Sequence, residues 1–203
     1  MNIVLLALVD DNYCVSYIDV GSNGRSSDGG IFANSSLKKM LENRTHNIPE
    51  NSVVVGDEAF ALKTYMMRPY PFRGVLDRKK RIFNYRLSRA RRVSEKFVGI
   101  LVSRFRLLEK PISLHPDKVD LIIVAICSIH NWLRKTSNYY IRRDSVDTED
   151  INTGEIIPGT WRSELNDQSK KSLRQMGSNN YSRRAEEIRN QYVKYFNGDG
   201  SVS

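Results

Sequence analysis

Two carboxylates carry the strongest chemical signal in this chain. Asp57 closes the run Val53-Val54-Val55-Gly56, and Glu95 follows 38 residues later inside the basic stretch Arg91-Arg92-Val93-Ser94-Glu95-Lys96. A β-branched run that ends abruptly in an acid presents its carboxylate at a strand tip, and an acid on a helix can swing toward it. Oxygen ligands of this kind suit Mg²⁺ or Mn²⁺. Each acid also has a plainer reading, Asp57 as an ordinary residue at a strand end and Glu95 as the ion-pair partner of Arg91 or Arg92.

The elements that must position them are legible from patterning. Ile3 to Val9 and Tyr13 to Val20 are apolar, β-branched runs separated by Asp10, Asp11 and Asn12, which predicts an antiparallel hairpin whose first strand is buried on both faces. Gly21 to Gly24 form a turn. Ser27 or Asp28 then caps a helix with apolar positions Ile31, Phe32, Leu37, Met40 and Leu41. Asn47, Pro49, Glu50 and Asn51 make a loop before the short strand that delivers Asp57. Ala59 to Met67 reads as a short helix ended by Pro69 and Pro71, followed by a loop to Lys80. Asn84 to Leu108 is a long basic helix, with Glu95, Ser88, Arg91, Arg92 and Gly99 on the face away from Phe97. Lys118 to Arg134 is a second long helix. Residues 1–143 read as one domain, and 144–203 as a polar C-terminal tail with a short candidate helix from Arg183 to Phe196.

A length of 203 residues with 40% hydrophobic and 27% charged residues fits one sizeable core. The net charge of +9 is concentrated: Arg68 to Lys110 holds 14 Lys and Arg against Asp77, Glu95 and Glu109, or +11, which leaves 9 − 11 = −2 elsewhere. A positive field beside metal-binding carboxylates suits a polyanion, with nucleic acid the first candidate, although basic runs are also ordinary solvated faces. Arg78-Lys79-Lys80-Arg81 would suffice as a nuclear-import signal. Cys14 and Cys127 are the only cysteines, which argues against a zinc site and a disulfide framework and for a reducing compartment. Neither Ile3 to Val9 nor Leu121 to Leu133 reads as a signal sequence or membrane span.

These motifs resemble the Harbinger (PIF) group of DDE transposases and the nucleases derived from them. The likeness runs through Leu-Leu-Ala-Leu-Val-Asp at 5–10, Asp-Val-Gly-Ser-Asn-Gly-Arg-Ser-Ser-Asp-Gly-Gly-Ile-Phe at 19–32 and Val-Gly-Asp-Glu-Ala-Phe at 55–60. It continues through Phe-Asn-Tyr-Arg-Leu-Ser-Arg-Ala-Arg-Arg-Val at 83–93, Glu95, residues 97–101, and His-Asn-Trp-Leu at 130–133. The resemblance implies an α/β, RNase H-like mixed sheet flanked by helices, with the hairpin and the Val53 to Val55 strand in one sheet. It implies a divalent-metal (Mg or Mn) nuclease acting on DNA in the nucleus, with a Myb-like protein partner. Asp57 and Glu95 match the second and third metal-binding catalytic acids.

The family's first acid lies in an Asp-Gly-Thr-His-like motif on the central strand. This chain is expected to lack that strand by N-terminal truncation, which would impair catalysis and leave exposed edges prone to self-association. Asp10 and Asp11 read as turn formers and Asp28 as a helix cap rather than as replacements. Arg89, Arg91 and Arg92 are candidate DNA phosphate contacts. His130 reads as a buried, hydrogen-bonded histidine. Core packing is the better reading of Tyr65, Tyr70, Phe72 and Tyr85 than base stacking. The alternative function is a non-catalytic DNA- or protein-binding remnant of the same scaffold.

Overall fold

Asp10 builds the first turn of the chain with its own side chain. Its Oδ1 accepts from the amides of Asn12 (2.9 Å) and Cys14 (2.7 Å), and Tyr13 takes the left-handed conformation (φ 63°). In the computed structural model, which describes residues 3–23, 27–46, 48–72, 75–141, 148–149, 156–159 and 181–201, this turn joins β1 (Ile3–Val9) to β2 (Val15–Asn23). The pair is antiparallel, with register shifts at Val4/Leu5 and Leu8/Val9. Gly24, Asn47 and most of 144–180, for which a turn, a loop and a tail are expected, lie outside the described residues.

The remaining elements are α1 (Asp28–Asn34), α2 (Ser36–Glu42), β3 (Val54–Val55), β4 (Met66–Met67), α3 (Arg78–Arg104), a 3₁₀ turn (Arg106–Glu109), α4 (Pro116–Thr136), β5 (Thr148–Glu149), β6 (Ile156–Ile157) and α5 (Arg183–Phe196). The architecture is mixed α/β with small sheets. The chain divides into two compact units, Met1–Gly24 with Val93–Ser172, and Arg25–Arg92 with Leu173–Ser203.

In the first unit, Phe97 and Leu101 of α3 and Ile126 and Cys127 of α4 form a core onto which Ala7, Val9, Val15 and Ile18 of the hairpin pack. Only one side of β1 is served by this core. All seven of its residues are half-buried, so the expectation of a strand buried on both faces is not met. The His-Asn-Trp-Leu motif on α4 clamps the hairpin. Asn131 accepts from Val15 N and donates to Val15 O, each at 2.8 Å, as a neighbouring strand would. Arg134 Nε donates to Asn12 O (2.9 Å).

In the second unit, Leu62, Met67, Tyr70, Phe83, Leu87 and Ala185 make the core, with Val53, Val55, Ile188, Tyr192 and Phe196 packed around it. The helix expected at Arg183 to Phe196 is present with those bounds. It is capped by Ser182, whose side chain accepts from Ala185 N. Buried Asn84 fixes the entry to α3 by exchanging two hydrogen bonds with the Tyr70 backbone, at 2.8 and 2.9 Å. Asp77 Oδ1 accepts from Lys80 N (2.8 Å), so α3 begins at Arg78 rather than after the basic run.

Three other expectations are corrected. The single helix through Leu41 is two, because Ser35 sits in extended conformation (φ −73°, ψ 155°), closing α1 and capping α2. Ala59 to Met67 is not helical: turns lead into β4, which pairs in parallel with β3. Among the described residues the hairpin and β3 are not paired in one sheet, and β1–β2 and β3–β4 each form a two-stranded ladder. Strand β3 has only two residues, and β4 takes up its ladder, with Val54 N donating to Tyr65 O and Gly56 N to Met67 O.

Candidate metal-binding site

Asp57 stands two residues beyond β3, where the chain leaves the ladder and turns. Its Oδ1 accepts from Ala59 N (2.8 Å), and its backbone carbonyl accepts from Phe60 N (3.3 Å). The other oxygen, Oδ2, lies 3.9 Å from Arg91 Nη2, with both side chains about one-third exposed. One carboxylate oxygen is therefore committed to the turn, while the second faces a cation and solvent.

The Asp-Gly-Gly-Ile-Phe and Val-Gly-Asp-Glu-Ala-Phe motifs interlock around this turn. A Cβ on Gly29 would fall 2.5 Å from Ala59 O, and one on Gly56 would fall 2.8 Å from the Phe60 ring and 3.1 Å from Met66 Sδ. Gly29 thus needs to be glycine for close approach to backbone, while at Gly56 the Phe60 and Met66 side chains would have to shift. Phe32 and Phe60 complete the contact edge to face, at 5.6 Å between centroids. Arg68, buried at 4% exposure, donates Nη1 to the carbonyls of Phe60 (3.1 Å) and Glu58 (3.4 Å) and so holds the same loop from inside. Burial and the neighbouring Arg189 lower the Arg68 pKa. Sequence reasoning missed Arg68, whose only signal was an arginine embedded between Met67 and Pro69.

The cap of α1 is Ser27, whose Oγ accepts from Gly30 N (3.2 Å), and Asp28 is the first helical residue. The cap reading therefore holds for Ser27, and Asp28 is the acid of the first turn. Burial raises the Asp28 pKa, and the charge of Asp57 raises it further.

Glu95 lies exposed on α3, in the other unit. Gly99, one turn on, is buried. Among the described residues no group of three His, Cys, Asp or Glu is placed to hold a metal ion. Of the candidate phosphate contacts, Arg91 meets Asp57, the Arg89 guanidinium lies 5.8 Å from the Tyr85 ring centroid, and Arg92 is half-buried. Tyr70 is core, but Phe72 and Tyr85 are 77% and 44% exposed, against the packing expectation. Asp10 is the turn former expected.

His130 is fully buried. Its Nε2 lies 2.8 Å from the Tyr13 carbonyl, which can only accept, so Nε2 carries the proton and Nδ1 accepts from Tyr140 OH at 2.9 Å. Burial lowers the His130 pKa and pushes the Tyr140 hydroxyl up to about 12, which keeps both groups neutral. This histidine is structural, as expected.

Among the described residues no helix is long and apolar enough to cross a membrane. The family model described as DDE superfamily endonuclease matches residues 2–131. The chain is 26% identical over 133 residues to "Putative nuclease HARBI1" of Mus musculus, a match that covers 62% of this chain and 36% of that protein's length. No solved structure matches.

Proposed function

This chain belongs to the DDE superfamily endonucleases, and on that premise we propose that it is part of a Harbinger-type transposase or transposase-derived nuclease that hydrolyses DNA phosphodiesters with divalent metal. The observation that carries the reading is the seat of Asp57, held by its turn at one oxygen and set against Asp28 and Arg91. Two carboxylates that repel each other suit a divalent cation, which supplies the missing positive charge to oxygen ligands. Asp57 and Asp28 fit that role in part. Glu95 is the third acid by family position.

When bound, the ion would act as a Lewis acid on a phosphoryl oxygen and promote formation of the attacking hydroxide. The chain's own contributions are to hold the Asp57 carboxylate through Ala59 N and to neutralise it through Arg91 when no ion is present. Arg89, Arg91 and Arg92 would bind backbone phosphates on the basic segment. In this proposal the fold is RNase H-like, as membership of the family implies. The protein acts in the nucleus alongside a Myb-like partner.

DNA cleavage in Mg²⁺ or Mn²⁺ is the activity this reading expects. Metal binding tests the site more directly. Mn²⁺ should broaden the NMR signals of Asp28 and of Asp57 to Phe60, and Asp57→Asn should abolish that effect. Broadening, or any DNA cleavage, that survives Asp57→Asn would refute the assignment.

A non-catalytic DNA- or protein-binding role on the same scaffold is the second reading, favoured by the positive charge concentrated between Arg68 and Lys110. Salt-sensitive DNA binding that needs no metal would support it over catalysis.

A further inference from the structure

Helix α4 has two apolar faces, and among the described residues only one of them is packed. Val119, Ile126, Cys127 and His130 are buried within their own unit. On the opposite side, Leu121 (70% exposed), Val124 (42%), Ile129 (45%) and Trp132 (63%) are open to solvent, together with the exposed Ala125 and Ser128. Leu121, Ala125, Ser128 and Trp132 follow steps of four, three and four, the spacing of a helix–helix seam.

We propose that this face is the dimer interface for a second copy of the chain, with the two α4 helices antiparallel. The pattern is symmetric about the peptide bond between Ile126 and Cys127. Ala125 and Ser128 flank that midpoint, Val124 and Ile129 come next, and Leu121 and Trp132 lie outermost. A two-fold axis there sets small residue against small residue at the crossing point and Leu121 against the partner's Trp132 on both sides. An isologous contact requires this self-complementarity.

Polar groups on the face are already satisfied. Ser128 Oγ donates to Val124 O and Thr136 Oγ1 to Trp132 O, both at 2.8 Å, so their burial strands no donor. Charge agrees at the ends: Asp117 lies in the first turn of α4, and Arg134 and Lys135 in the last. Antiparallel pairing brings the acidic end of one helix beside the basic end of the other. Lys118 then meets the carbonyl-rich C-terminus of the partner helix, which favours a cation. One helix pair is small beside a standard interface of about 800 Å² per partner, so a reversible, concentration-dependent dimer is expected.

Sedimentation velocity of the full chain across a concentration series tests this. The expected species has about twice the 23.4 kDa chain mass, and Leu121→Glu should return it to the monomer. Orientation is read by disulfide capture: a mixture of Ala125→Cys and Ser128→Cys chains should cross-link readily, and Ala125→Cys alone weakly. A chain that stays monomeric throughout overturns the proposal, as does a dimer indifferent to Leu121→Glu. Preferential self-linking of Ala125→Cys overturns the antiparallel arrangement. Iodide quenching of Trp132 in a Trp161→Phe background gives a separate readout. Protection that grows with protein concentration supports the dimer, and protection independent of concentration overturns it by showing that the chain itself covers the face.

Discussion

Replacing His130 with leucine isolates the polar contribution of the α4–hairpin contact, because leucine nearly fills the same volume. The histidine makes two buried hydrogen bonds, to Tyr13 O (2.8 Å) and Tyr140 OH (2.9 Å). Each partner left without its bond costs about 1.5–3 kcal/mol, the lost bond included. Leucine returns about 1–2 kcal/mol of apolar burial against Phe97, whose ring centroid lies 5.2 Å from that of His130. The balance is a loss of about 2–4 kcal/mol, or an unfolding constant roughly 30- to 1000-fold larger. Urea unfolding followed by circular dichroism should show the midpoint falling by about 1–2 M.

The same substitution removes a pH dependence of defined sign. The folded His130 pKa lies below its unfolded value, so the neutral-ring contribution is fully present above the unfolded pKa of about 6.5 and is lost as pH falls toward the folded value. Its slope cannot exceed about 1.4 kcal/mol per pH unit, because one proton is involved. The wild-type chain should therefore weaken between neutral and mildly acidic pH more than His130→Leu does. A midpoint unchanged by His130→Leu, or the same acid sensitivity in both proteins, would refute the reasoning.

Other perturbations read other contacts. Asn131→Ala removes both bonds to Val15 and should cost about 2–3 kcal/mol in the same unfolding assay, with faster amide exchange at Val15. Gly29→Ala meets a backbone carbonyl at 2.5 Å and should destabilise by about 1–3 kcal/mol; Gly56→Ala meets the Phe60 ring, which can move, and should cost less. Ser182→Ala deletes the cap of α5 and should lower stability by about 1 kcal/mol.

What the sequence discloses and what it hides follow the range of the forces involved. The hairpin is legible because Asp10 folds its turn through bonds to residues two and four positions away. Helix α5 is legible because its cap and its apolar spacing are both local. The break at Ser35 is hidden because a serine between Asn34 and Ser36 gives no composition cue, while its side chain can close one helix and start another. The failed helix after Ala59 has a similar cause: Asp57 captures Ala59 N, and Lys63 and Met66 exchange backbone bonds, so the turn outcompetes helical propensity. The acids themselves stand out by type and motif. Their environment does not, since Arg68 reaches the Asp57 loop by tertiary packing and the start of α1 meets the same loop where Gly29 approaches Ala59 O.

That packing decides which Asp57 variant can be interpreted. Asp57 has a structural oxygen, bonded to Ala59 N at 2.8 Å, and a second oxygen 3.9 Å from Arg91. Asparagine keeps an acceptor for Ala59 N and loses only the charge, whereas alanine loses both. Asp57→Asn should therefore leave the unfolding free energy within about 0.5 kcal/mol of wild type, and Asp57→Ala should lower it by about 1–2 kcal/mol. Removing the charge should also lower the Asp28 pKa, measured by carboxyl-carbon NMR titration. The decrease should be partial, because burial is the larger cause of its elevation. If Asp57→Asn leaves the Asp28 titration unchanged, the two carboxylates do not interact and the metal proposal loses its second donor. If Asp57→Asn destabilises as much as Asp57→Ala, loss of metal binding in the asparagine variant reports a collapsed loop instead of a missing ligand.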